Sequence, residues 1–224
     1  MLRAAPGRPV TLYDLIIFDC DGVLVDSEPI VNRVFVDMVA ELGHSLDYEA
    51  TLRHFSGGNM AKRLAYMEHD LGLVAPDGFV DAFHRRLRAV LQRDLRPVPG
   101  IMAALAAVRT PWCVASNGTH EDMRTRLGIA GLLAHFDPPL FSATEVTRPK
   151  PAPDLFLHAA AAMGTAAGRC VVVEDSVPGV EAGVAAGMTV LGFARITEAD
   201  ALGEAGADVF DDMSALPNLL KESE

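Results

Sequence analysis

Residues 13–29 read YDLIIFDCDGVLVDSEP. The apolar run Leu15-Ile16-Ile17-Phe18 has the character of a buried strand, yet it ends in Asp19 and Asp21, with Gly22 directly behind. Burying charge is expensive, so two carboxylates where a core strand surfaces need a chemical reason. At the two-residue period of a strand, Asp19 and Asp21 share a side and Cys20 faces the other. A lone D-x-D-G also occurs in turns, where Asx side chains bond nearby backbone. What decides between the two is what else the chain sends to the same place.

Behind this strand the pattern is helical. SEPIVNRVFVDMVAELG sets Ile30, Val31, Val34, Phe35, Met38, Val39 and Leu42 on one face, with Ser27 as N-cap candidate and Gly43 as terminator. Asp47 is a cap candidate for a short second helix. Met60, Leu64, Met67 and Leu71 mark a third, stopped by Gly72, and Phe79 to Leu91 mark a fourth. After RPVPG at 96–100 the pattern changes to alternating helices and strands, including WCVAS, LFSA, CVVVEDS, MTVLGF and ADVF. Strands alternating with helices predict a parallel sheet covered on both faces, and the first strand must pair with these later ones. The expected fold class is α/β: a Rossmann-like, doubly wound parallel sheet with an inserted all-helical cap. The expected domains are a core of residues 13–28 and 96–224 and a cap of 29–95, after a loose N-terminal tail, 1–12. The two crossings near 22–28 and 96–99 are the expected hinges.

In open α/β sheets ligands bind outside the carboxyl ends of the strands. Here those ends carry Asp19 and Asp21, then Ser116-Asn117-Gly118, then Glu174-Asp175-Ser176, while Lys150 precedes a helix in TRPKPAPD. Converging acids repel one another, by roughly 4 kcal/mol for a close pair at an effective dielectric of ~20. A divalent cation removes that repulsion, and an all-oxygen shell suits Mg²⁺. Such a cation draws in a phosphate, whose oxygens Ser116, the backbone N–H groups at Asn117 and the Lys150 ammonium can bind. One aspartate can then attack phosphorus while the other handles the leaving-group proton.

Composition narrows the partners. The 224 residues carry 19 Lys and Arg against 30 Asp and Glu, a formal charge of −11, which argues against a nucleic-acid surface. No apolar run is long enough to span a bilayer, and the opening MLRAAPGRPV lacks the apolar centre of a secretory signal. Cys20, Cys113 and Cys170 stand apart in or beside apolar runs, as small buried side chains in a reducing cytoplasm do. The expected protein is cytoplasmic and monomeric.

Taken together, DCDGVLVDSEP, SNG, KPAPD and VEDSVPGVEAGVAAGM resemble the haloacid-dehalogenase-like superfamily, within its β-phosphoglucomutase-like and 6-phosphogluconate-phosphatase-like branch. The resemblance covers residues 13 to about 220. It implies Asp19 as a nucleophile forming an aspartyl-phosphate, Asp21 as general acid and then base, Ser116 holding a phosphoryl oxygen, and Lys150 bridging that oxygen and the nucleophile. It implies Mg²⁺ held by the Asp19 carboxylate, the Asp21 carbonyl and an acid of Glu174-Asp175, with Asp175 the closer ligand.

The implied reaction is hydrolysis of a small phosphorylated metabolite, a sugar phosphate or a phosphosugar acid such as 6-phosphogluconate. A phosphosugar mutase is the second reading; its branch usually carries a histidine where Val31 stands here, and Lys and Arg where Ser56 and Met60 stand. A non-enzymatic binding protein on the same scaffold is the third, set aside because both aspartates are kept. In the cap, Asn59, Lys62 and Arg63 of SGGNMAKR are the specificity candidates, the two cations for a substrate carboxylate. The stretch HRRLR, 84–88, reads as solvated helix, and His120 as a residue able to face the pocket or solvent.

Overall fold

The computed structural model describes residues 12–221. All but the last residue of the expected tail, and residues 222–224 of the core, lie outside the described residues. Six strands form one parallel sheet in the order β3-β2-β1-β4-β5-β6. They are β1 (Leu15–Phe18), β2 (Trp112–Ser116), β3 (Leu140–Ser142), β4 (Cys170–Glu174), β5 (Thr189–Phe193) and β6 (Asp208–Phe210).

Period two explains why strands this apolar are needed. Ile16, Phe18, Val114, Val171, Val173 and Leu191 enter one apolar cluster, while Leu15, Ile17, Cys113, Ala115, Val172 and Val190 enter another. Each side of the sheet has its own helices, so neither face is left for water and both sets of alternating residues must be apolar. Helices α5 (Ile101–Ala107) and α6 (His120–Ile129) pack with the first set; α7 (Asp154–Ala162), α8 (Val177–Ala185) and α9 (Ala199–Glu204) pack with the second. This is the expected doubly wound α/β arrangement.

Between β1 and β2 the chain makes four helices, α1 (Glu28–Glu41), α2 (Tyr48–Phe55), α3 (Met60–His69) and α4 (Phe79–Asp94). Val34, Phe35, Met38 and Val39 of α1 are buried with Phe55, Met67, Phe79, Phe83, Leu87 and Leu91, which are the stripes the periodicity predicts. Phe35 and Phe55 meet edge to face, 5.2 Å between centroids. Asp47 caps α2 by accepting from the Ala50 N–H at 2.7 Å.

The two chain crossings run side by side. Asp26 N–H donates to the Arg96 carbonyl at 2.9 Å, and Val98 N–H to that of Leu24 at 3.0 Å. Arg195 also clasps Asp26 with both terminal nitrogens, at 2.6 and 2.7 Å.

Ser27 is a correction. Its side chain makes no cap hydrogen bond; its hydroxyl donates to Asp21 Oδ1 at 2.5 Å instead. A charge-assisted bond to a carboxylate is roughly twice as strong as one to a neutral partner, so the aspartate outcompetes the helix end.

Truncating Phe35 to Ala is expected to lower unfolding stability by about 3–5 kcal/mol, as large-to-small changes of buried aromatics do. Denaturant melts measure this, and a loss under about 1 kcal/mol would contradict the packing described.

Candidate active site

The strand order sets the site. β2 and β4 flank β1, so three carboxyl ends lie adjacent at the point where connections leave to opposite sides. They deliver Asp19, Ser116 and Glu174 together. A cleft of about 1200 Å³ opens there, lined by Asp19, Asp21, Ser116, Lys150, Glu174 and Asp175 on the sheet side and by cap residues opposite.

Lys150 is the hub. The residue is 7% exposed, and its ammonium donates to Asp19 Oδ1 at 2.6 Å, Glu174 Oε1 at 2.7 Å and the Ala115 carbonyl at 2.9 Å. An ammonium has three protons, and all three are engaged. Burial disfavours the charged form, but the two carboxylates outweigh it, and the Lys150 pKa is raised. The backbone of Lys150 is held as firmly: its N–H donates to Asn117 Oδ1 at 3.0 Å, and Asn117 Nδ2 donates to its carbonyl at 3.2 Å. The Asn117 side chain is thus a clamp on Lys150, and its backbone N–H is what remains for a ligand. Ser116 is buried, and its hydroxyl oxygen accepts from Gly118 N–H at 3.1 Å, leaving its proton to donate.

The acids divide by environment. Glu174 is saturated: Oε1 takes Lys150, and Oε2 takes the N–H groups of Asp175 and Ser176 and the Ser176 hydroxyl, at 2.9 to 3.0 Å. The Asp175 carboxylate receives no hydrogen bond among the described residues, and burial together with the Glu174 and Asp19 charges pushes its pKa well above the usual range. Burial also raises Asp19, to about 7, with Lys150 opposing and Glu174 adding to the rise. Among the described residues, no group donates to Asp19 Oδ2.

Beyond Phe18 the chain leaves the strand. Leu24 and Val25 N–H both donate to the Cys20 carbonyl at 3.0 Å, and Gly22 turns through φ +83°. Asp21 is therefore carried into the cleft beside Asp19 by this loop rather than by strand period. Its Oδ2 pairs with Arg126 at 2.5 Å while Oδ1 takes Ser27.

Two glycines make room for these carboxylates. A Cβ on Gly22 would collide with the Asp175 carboxylate, and one on Gly179 with that of Glu174.

A cation is the group these oxygens suit. Among the described residues, no three His, Cys, Asp or Glu side chains form a ready-made metal cage. Two buried carboxylates, Asp19 and Asp175, nevertheless carry more negative charge than one lysine balances, and all their donor atoms are oxygen. With the Asp21 carbonyl, which accepts no hydrogen bond among the described residues, they could hold Mg²⁺. Glu174, the other expected ligand, has both oxygens engaged in protein hydrogen bonds.

The cap candidates separate. Asn59 caps α3, accepting from Lys62 N–H at 3.0 Å, and Lys62 Nζ donates to the His54 carbonyl. Arg63 is buried against Phe55. All three line the cleft, as does Val31. His84 and Arg88 are exposed yet stand at its edge, whereas His120 pairs with Glu145 at 3.0 Å.

Arg126 and Glu28 also line the cleft and were not singled out from sequence. Arg126 had a signal: it follows Met123 by three residues, and Met123 and Leu127 are the buried positions of α6.

The chain matches the haloacid dehalogenase-like hydrolases over residues 13–187, and it belongs to that family. It is 33% identical over 210 residues to the 6-phosphogluconate phosphatase of Escherichia coli K12, covering 93% of this chain and 95% of that one. It is 32% identical over 193 residues to hexitol phosphatase A of the same strain, covering 78% and 80%. A crystal structure of a haloacid dehalogenase-like protein of unknown function from Agrobacterium tumefaciens superposes with TM-score 0.86 at 38% identity, covering 92% and 97%. Among the described residues no helix is long and apolar enough to cross a membrane.

Gly22→Ala is expected to lower turnover about 100-fold by displacing Asp175, since a 1 Å misplacement can have that effect. Steady-state kinetics beside a thermal melt measure this; a folded Gly22→Ala protein with unchanged turnover would contradict the contact.

Proposed function

We propose that this phosphoric monoester hydrolase of the haloacid dehalogenase-like family cleaves a small phosphorylated sugar, a sugar phosphate or phosphosugar acid, in a Mg²⁺-dependent reaction. One observation carries the reading: a buried aspartate, Asp19, fixed through Oδ1 by Lys150, with Oδ2 undonated at the floor of the cleft. The names of the two E. coli relatives support the sugar-phosphate class.

Asp19, Asp175 and the Asp21 carbonyl would hold the ion. When bound, Mg²⁺ neutralises the converging acids and the phosphate charge. Asp19 attacks phosphorus; a P–O bond forms to its carboxylate and the ester P–O bond breaks. Asp21 gives its proton to the departing alkoxide, releasing the alcohol. Asp21, now a carboxylate, takes a proton from water, which attacks the same phosphorus. Asp19 leaves as a carboxylate with inorganic phosphate. Ser116 and the Asn117 N–H bind phosphoryl oxygens, while Lys150 orients and balances Asp19 rather than reaching the phosphate. Ser27 and Arg126 hold the Asp21 carboxylate in the interval between its two proton transfers.

Residues 29–95 act as the cap over a core of 13–28 and 96–221, swinging on the paired crossings at 22–28 and 96–99. The loop at 56–57 meets the core, with Ser56 Oγ 2.7 Å from Thr197 Oγ1. Such closure excludes water while the phosphoenzyme forms. The protein acts as a monomer. Val31, in place of a basic cap residue, favours water over a second sugar hydroxyl as acceptor.

Phosphate release from sugar monophosphates tests the reading. Asp19→Asn is expected to lose more than about 10³-fold in kcat, and Asp21→Asn about 10²–10⁴-fold. Near-wild-type turnover by Asp19→Asn would refute the nucleophile. Chelation is expected to abolish release and added Mg²⁺ to restore it; full activity in excess chelator would refute the ion.

A further inference from the structure

On the cap side of the cleft, two opposite charges have atoms with no hydrogen-bond partner among the described residues. Arg63 is 2% exposed, with its guanidinium carbon 4.9 Å from the Phe55 ring centroid. Nη1 donates to the Gly58 carbonyl at 2.7 Å, but buried Nε and Nη2 find no acceptor. These two nitrogens lie along one edge of the guanidinium. It is the edge that Arg148 turns to both oxygens of Asp154, and Arg169 to both of Asp14. A planar fork of this kind matches a carboxylate, and desolvation strengthens the match. Glu28, the first residue of α1, has a buried Oε2 that likewise finds no hydrogen-bond partner among the described residues, and its charge and that of Arg63 lie close enough to attract each other without a hydrogen bond between them. Both residues line the cleft that Asp19 floors. Lys62 does not compete for the role, because it is exposed and its ammonium is turned to His54.

We propose that Arg63 and Glu28 form the receptor for the end of the substrate remote from the phosphate. Arg63 takes a terminal carboxylate on its Nε–Nη2 edge, and Glu28 accepts from the hydroxyl on the next carbon. The substrate class is then a phosphorylated aldonic acid. This rests on the phosphatase reading above and deepens it. A polyol phosphate of the same length keeps the hydroxyl and lacks the carboxylate, so Arg63 discriminates against it while Glu28 does not.

The test compares kcat/KM for 6-phosphogluconate and glucitol 6-phosphate, which differ only at that end. Wild-type protein is expected to prefer the acid at least about tenfold, because a site built for a polar group rejects the analogue lacking it. Arg63→Lys, which keeps charge and loses the planar fork, is expected to lower the acid's value at least about tenfold more than the polyol's. Glu28→Gln is expected to lower both by a similar factor. Equal wild-type values, or an unchanged ratio in a folded Arg63→Lys protein, would overturn the receptor and leave Arg63 as a stacked cap side chain. Should Arg63→Lys fail to fold, the wild-type ratio and the parallel losses in Glu28→Gln decide. Phosphate release from neither compound nor any other phosphomonoester would instead refute the phosphatase reading, a separable result.

Discussion

The buried ammonium of Lys150 is the interaction on which the site depends. It joins the end of β1 to the end of β4 through Asp19 and Glu174, and touches the end of β2 through the Ala115 carbonyl. Without it, Asp19, Glu174 and Asp175 would crowd together in low dielectric, where like charges either take up protons or push apart. The sheet makes the crowding possible, since a parallel order with β1 between β2 and β4 brings three carboxyl ends to one place.

One cation does not balance these acids. Glu174 is satisfied by four donors, yet Asp175 has none and Asp19 keeps one oxygen open. This asymmetry divides labour among similar side chains. The saturated carboxylate fixes the lysine, and the unsaturated ones keep oxygens open, as the proposed metal ion and phosphoryl group require. Gly22 and Gly179 belong to the same design, because a methyl group at either position would occupy the space of a carboxylate.

Much of this was legible in the sequence, and the reason is physical. Strands buried on both faces must be apolar throughout, so Leu15–Phe18 and Cys170–Val173 announce themselves, and the polar residues that end them are conspicuous. Helical stripes such as Val34, Phe35, Met38 and Val39 follow from a fixed period. Contacts between distant segments have no period. Ser27 looked like a cap because capping is local, and only the fold brings Asp21 close enough to claim its hydroxyl. The Asp21–Arg126 pair, the engagement of every Lys150 proton and the unpartnered edge of Arg63 likewise arise from side chains meeting across the cleft. Asp19 and Asp21 were expected to share a side through strand period; both line the cleft, but the tight loop after Phe18 is what carries Asp21 there.

The proposed reaction has Asp19 carry the phosphoryl group for part of each cycle. Acid-quenched turnover of a sugar monophosphate, followed by proteolysis and mass spectrometry, reads this directly. The peptide containing Asp19 should gain one phosphoryl group in wild-type protein and none in Asp19→Asn. A phosphoryl group found on another residue, or sustained turnover with Asp19 never modified at any quench time, would contradict the account.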